Sequence, residues 1–380
     1  MTQPAYPVAR AVAARVRLHF SLRRRAAENE HSTQGFASEP DDAAIEAVID
    51  SAFWASLRHQ ERYPPKISLA FLSPNEALLP ITFEHRLPLS PEALIRLAPA
   101  VERPGVHLGV WREDGQFHVW GATRTLPPLC FVLEVLDPGV LVIKRRRIQD
   151  SGKFVNVALL EGDQIKVLDH TTLALPDCPP LVASLLGLDT PMTSADSIGV
   201  LIQLAVSMRG HGHGGSLLVV PHGSDVWRES IVGPTPYALL PPYSELANLI
   251  REESRERQQR RWQETLRRAV DVVAGLTAVD GAMVLTDQCE LLAFGAKIGR
   301  RDGWTRVEQV VDTEPIEGVA DRFVHQAQLG GTRHLSAAQF GHDQRDSIAL
   351  VASQDGRFTV FAWSTLKEVV TAYRVEALLL

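Results

Sequence analysis

The sequence predicts an α+β/α/β protein of more than one domain, from three changes of texture along its 380 residues. Helical spacing dominates the opening, short apolar runs separated by turn residues fill the middle, and an α/β alternation closes the chain. The length exceeds what one compact core usually serves and points to two or three domains.

The elements follow in order. Residues 5–20 and 41–58 read as helices; in the second, Ile45, Val48, Ile49, Ala52, Phe53 and Leu57 recur at helical spacing behind the capping-competent Asp41 and Asp42. Polar residues 31–40 form the loop between them. From Lys66 to about Asp169, apolar runs at 67–72, 106–111, 117–121, 131–135, 140–143, 154–160 and 165–168 predict a mostly antiparallel β region. Glu113-Asp114-Gly115, Asp137-Pro138-Gly139 and Glu161-Gly162-Asp163 supply turn chemistry between them. One helix interrupts at 90–100, with Ser90 as its cap and Pro91 at its first position. Residues 180–208 read as helical, and Gly210 to Gly215 leads into a strand at 216–221. The proline-rich 234–242 predicts no regular structure. A long helix follows at 244–275; its middle, 251–261, holds no apolar residue and cannot face a core, so the domain boundary is placed here. After it come a hairpin at 282–285 and 291–294, a helix at 319–329, and a second hairpin at 347–353 and 358–363.

An apolar fraction of 45% and a charged fraction of 22% are ordinary for a globular protein, and the net charge of −6 advertises no nucleic acid polymer as partner. No apolar run reaches the ~20 residues that span a bilayer. Cys130, Cys178 and Cys289 lie far apart and form no metal-binding or disulfide pattern, which suits a reducing cytoplasm. The six arginines before Glu28 read as a basic amphipathic helix, though a transit peptide shares that composition.

Two segments carry chemistry. Gly330-Gly331-Thr332-Arg333-His334-Leu335-Ser336 places small residues, an arginine fork and two hydroxyls at a predicted helix start, where free N–H groups favour an anion. It reads as a triphosphate cradle or as an ordinary capped helix start. Asp280-Gly281-Ala282 places a carboxylate beside open backbone at the start of a strand, able to hold a divalent ion or to polarise a ribose hydroxyl, or simply to make a turn.

In this order, and followed by an apolar strand ending in Ser353-Gln354-Asp355-Gly356, the two segments resemble the diadenylate cyclase domain, with its Asp-Gly-Ala and Gly-Thr-Arg-His-Arg hallmarks. The resemblance covers about ninety residues. It implies a C-terminal α/β domain with a mixed central sheet that joins two ATP into cyclic di-AMP with Mg²⁺ or Mn²⁺, two such domains facing each other. It implies Asp280 as metal ligand beside the attacking 3′-hydroxyl, with Arg333 and His334 as its catalytic companions. Gly281, Ala282 and Gly295 would lie by the nucleotide, while Gly331, Thr332, Ser336 and Ser353 would meet phosphates. The sequence departs from the hallmark at Leu335, which replaces the final arginine, and at His342-Asp343, near the place of a Ser-Glu pair. The segment 299–318 lengthens the spacing.

More loosely, the rest resembles the DACNV probable sensor region, on Ala52-Phe53-Trp54-Ala55-Ser56-Leu57, Leu160-Glu161-Gly162-Asp163 and the stretch from Gly212 to Pro221. This implies a sensor-like domain at 1–243, a linker helix at 244–275 and a cyclase-like domain at 276–380, with a small molecule or protein as partner of the first. A cyclase that has lost catalysis and only senses ATP or a cyclic dinucleotide is the alternative.

Other signals read as structural. His211, His213 and His222 have no companion ligands at metal spacing. The basic run Lys144-Arg145-Arg146-Arg147 reads as a solvated turn, and Trp111, Phe117 and Trp120 as core.

Overall fold

The computed structural model describes residues 5–30, 35–58, 65–103, 105–148, 154–168, 177–186, 195–252 and 260–380. The chain divides into two compact units, Met1–Leu168 and Asp169–Leu380, each built on its own mixed sheet, so the α+β class holds.

In the first unit, helices α1 (Pro7–Glu30) and α2 (Asp42–Ser56) precede strand β1 (Ser68–Phe71). Then come β2 (Ile81–Pro88), α3 (Pro91–Val101), β3 (His107–Glu113), β4 (Gln116–Thr123), β5 (Phe131–Asp137), β6 (Val140–Arg146), β7 (Phe154–Glu161) and β8 (Gln164–Val167). Asp41 caps α2 by accepting from the Ala44 N–H at 2.8 Å, and Ser90 caps α3 by accepting from Ala93 at 3.2 Å. The strands order as β2-β4-β3-β1-β5-β6-β7-β8, antiparallel except where β1 runs parallel to β3. Asp114 and Gly115 both take positive φ between β3 and β4, as a two-residue hairpin turn requires. One core joins Val12, Val16 and Phe20 of α1 and Ile45 and Ile49 of α2 to alternate strand residues such as Leu69, Leu108 and Leu133. Trp120 is fully buried on the sheet's other side and donates its indole N–H to Leu72 O at 2.8 Å.

The second unit contains α4 (Pro180–Leu185), α5 (Ala195–Gly210), β9 (Gly215–Val220), β10 (Tyr237–Tyr243), α6 (Glu245–Arg251) and α7 (Arg260–Leu276). β11 (Ala282–Thr286), β12 (Leu291–Ala296), β13 (Gln309–Thr313), β14 (Arg322–His325), α8 (Thr332–Asp343), β15 (Ile348–Ala352), β16 (Phe358–Ser364) and β17 (Val369–Arg374) complete it. The nine strands order as β10-β12-β11-β9-β15-β16-β17-β13-β14. α8 lies on one face over β9, β15, β16 and β17, and Ala337, Ala338 and Phe340 fill the core beneath it.

This topology moves the domain boundary. Residues 169–243, assigned from sequence to the N-terminal domain, fall in the second unit, where every residue of β9 is buried between β11 and β15. The 244–275 segment is likewise part of that unit: α7 packs on α5 and α6, and Trp262 donates to Leu249 O at 3.1 Å. Most of the apolar-free stretch that suggested a boundary, 253–259, lies outside the described residues.

Two further expectations change. The proline-rich segment holds β10, an edge strand paired only with β12, where prolines lacking an N–H are tolerated. The helix expected at 319–329 is instead the edge strand β14 and a short 3₁₀ turn, Gln326–Gln328, capped by His325.

Candidate functional site

Backbone register assembles the site. β11 starts beside β9 with Ala282 opposite Ser216, antiparallel β12 brings Ala296 opposite Ala282, and antiparallel β15 brings Val351 opposite Ser216. Ala296, Ala282, Ser216 and Val351 therefore form one row across four neighbouring strands, and α8 begins close to it. Asp280 and Gly281 precede β11 at this edge, Lys297 and Ile298 leave β12, and Ser353 to Asp355 leave β15. Together they line a cavity of about 730 Å³.

Nine of the ten residues singled out from sequence line that one cavity: Asp280, Gly281, Ala282, Gly331, Thr332, Arg333, His334, Ser336 and Ser353. The tenth, Gly295, stands directly behind. Gly281 has φ +110°, and a Cβ there would sit 2.5 Å from the carbonyl carbon of Gly295. Only glycine permits that approach of β11 to β12. On the opposite side Gly214, with φ +70°, leaves room for Arg333: a Cβ there would meet its Nη1 at 2.9 Å and Ala352 O at 3.1 Å.

α8 has Gly331 at its N-cap and no side-chain capping bond, so its first N–H groups have no intrahelical partner. With Thr332 exposed and Arg333 half-buried, this end offers donors and the positive end of the helix dipole to an anion. His334 is buried, its ring edge-on to Phe361 at 6.0 Å between centroids. Burial holds its pKa below the usual histidine value; Asp355 opposes this, and Arg357 and Arg333 reinforce it. His334 is thus a neutral hydrogen-bonding group at neutral pH, not a third cation. Leu335, half-buried, does not line the cavity.

At the other end Asp280 is 87% exposed and faces Lys297, itself 65% exposed, at 3.3 Å from Oδ2 to Nζ. Lys297, Ser216, Gln354 and Asp355 were not singled out as ligands from the sequence, although Gln354 and Asp355 belong to the turn that supported the resemblance. Gln354 also donates to His213 O at 3.3 Å, tying the loop before β9 to the cleft. His342-Asp343 serves a different purpose: Asp343 is buried and accepts from Gln339 Nε2 at 2.8 Å and the Arg301 N–H at 2.9 Å, anchoring the 299–318 segment to α8.

Among the described residues no group of three or more His, Cys, Asp and Glu could by itself hold a metal. His211 bonds Thr277 at 3.0 Å, and His222 pairs with Glu290 at 3.2 Å. A hard divalent ion fits Asp280 only in the manner of nucleotide sites, where one or two carboxylates are completed by phosphate oxygens and water.

Residues 34–124 match the family model of the probable sensor domain DACNV. The DACNV segment lies in the first unit and runs from before α2 through β4. It includes Ala52 to Leu57, whereas Leu160 to Asp163 and Gly212 to Pro221 fall beyond it. Within it Ser68 of β1 and His107 of β3 meet at 2.7 Å; beyond it, in the same unit, Glu134 of β5 bridges Ser68 to Lys144 of β6 at 2.7 Å from Lys144. Arg145 is buried in β6, so Lys144, Arg145 and Arg146 of the basic run are strand rather than solvated turn. The search of curated proteins found no match. No described helix is long and apolar enough to cross a membrane.

Proposed function

We propose that the second unit is a diadenylate cyclase, condensing two ATP into cyclic di-AMP and two pyrophosphates, and that the DACNV-matching first unit regulates it as a sensor. One observation carries the reading: segments 280–282, 331–336 and 353–355, distant in sequence, converge on one cavity of about 730 Å³, a size suited to a nucleotide.

The cleft's chemistry supports positioning. Thr332, Ser336, Ser353 and the open start of α8 offer hydrogen-bond donors to phosphate oxygens, and Arg333 adds a planar charged fork. Neutral His334 donates without adding charge. Gly281 and Ala282 line the cavity with little side chain, which leaves room for a flat base or ribose. Asp280, exposed at the far end, is placed to accept a proton from a ribose hydroxyl. Bound Mg²⁺ or Mn²⁺, held by Asp280 and phosphate oxygens, would supply neutralisation of phosphate charge. Since each ATP contributes one hydroxyl and one α-phosphate, two copies of the cleft must face each other. Cytoplasmic ATP would be the substrate pool.

Purified full-length protein given ATP and Mn²⁺ should yield cyclic di-AMP by liquid chromatography with mass detection, and Asp280→Asn should lower the yield at least about 10²-fold. Product at the wild-type rate from Asp280→Asn would refute the site. Leu335, withdrawn from the cleft where the hallmark has a cation, favours the second reading, a nucleotide sensor without turnover. ATP binding with no product would select that one.

A further inference from the structure

The cleft has two cationic poles. Arg333 stands at the β9–β15 side, beside Gly214 and Ala352 O. Lys297 stands where β12 ends, beside Asp280. β11 lies between β12 and β9, so two to three spacings of ~4.8 Å, roughly 10–14 Å, separate the poles. Among the described residues no other lysine or arginine lines the cavity. Lys297 is the lining cation paired with Asp280, and that pairing, exposed on both sides, is weak and readily exchanged.

The consequence rests on the cyclase reading of this same cleft. If Asp280 adjoins the attacking 3′-hydroxyl, the phosphorus under attack must come within about 3–3.5 Å of that oxygen. A phosphate then arrives at the Asp280 end, beside Lys297. We propose that Lys297 is a catalytic residue that binds the α-phosphate of the facing nucleotide and stabilises the negative charge developing as pyrophosphate leaves. In each half-reaction a bond forms from the 3′-oxygen to the α-phosphorus. The bond from that phosphorus to the bridging oxygen of pyrophosphate breaks, and pyrophosphate departs with the electron pair. The hydroxyl proton passes to Asp280 and on to solvent. The Lys297 ammonium, on a flexible and mostly exposed stem, leaves its pairing with Asp280 to meet the phosphoryl oxygens.

The test uses full-length protein and the variants Lys297→Met and Lys297→Arg. Cyclic di-AMP formation is measured at saturating ATP with Mn²⁺, and ATP affinity is measured separately by calorimetry. Lys297→Met should lower turnover about 10²-fold while ATP affinity stays within about twofold, and Lys297→Arg should recover much of the rate. Wild-type turnover in Lys297→Met overturns the assignment while leaving the cyclase reading intact. So does a loss of ATP affinity as large as the loss of turnover, because that marks ground-state binding. Wild-type protein that binds ATP but makes no product removes the cyclase reading and this inference together.

Discussion

Both units rest on a mixed sheet crossed by helices, yet they dispose of their polar groups in opposite ways. In the first, Ser68, His107, Glu134 and Lys144 close on one another across four adjacent strands, and Ser68 and His107 are almost wholly buried. In the second, Asp280 and Lys297 stand in solvent at a strand edge, and Arg333 reaches into an open cavity beside an uncapped helix start. Polar groups that satisfy each other inside a sheet hold the fold, because leaving either unpaired there is costly. Charges kept available at strand ends add little to stability. The comparison teaches where chemistry and stability separate in this chain, and it can be broken by substitutions on either side.

The largest effect belongs to the exposed side. Asp280→Asn should lower product formation 10²- to 10³-fold with an unchanged melting temperature; a coupled loss of stability would show the carboxylate to be structural. Gly281→Val comes next and should cost about 2–3 kcal/mol in chemical denaturation, since its Cβ would collide with the Gly295 backbone. Wild-type stability there would mean that β11 and β12 separate freely.

The buried side predicts a pH dependence. Burial first, then Lys144 and Arg146, push the His107 pKa down to about 4, against the opposing pull of Glu134. The unfolded chain takes up a proton near the ordinary histidine value, ~6.5, before the folded one does. The stability contributed by neutral His107 is thus complete above about pH 6.5 and is lost as pH falls toward 4. Denaturation curves at pH 7 and pH 5 should differ more for wild type than for His107→Gln, and identical differences would contradict the burial argument. The smallest effect is Ser90→Ala, about 1 kcal/mol from the lost α3 cap with no change in nucleotide binding.

Legibility in the sequence followed the same division. Strands β3 to β8 were readable because apolar runs alternate with turns that each hold an Asp and a Gly, and α3 because Ser90 and Pro91 announce its start. The cleft segments were readable because Asp280-Gly281-Ala282 and Gly331 to Ser336 each concentrate their chemistry within a few residues. The edge strands β2 and β10 were not: β2 exposes Ile81, Glu84, His85 and Arg86, and β10 contains Pro241 and Pro242, so neither shows an apolar period. The unit boundary was hidden because β9 enters the sheet beside β11 across sixty-one intervening residues, 221–281, a pairing that local texture does not encode. Lys297 was hidden for a similar reason. An isolated lysine after a strand signals nothing until the register of β11 and β12 brings it against Asp280.

The most direct test of the central claim, that the strand-end cleft of the second unit is a nucleotide site, is an ATP titration of wild type and Arg333→Ala by calorimetry. Saturable binding by the wild type, weakened by about tenfold or more in Arg333→Ala, is the predicted result. ATP binding that is absent, or indifferent to Arg333, would contradict it.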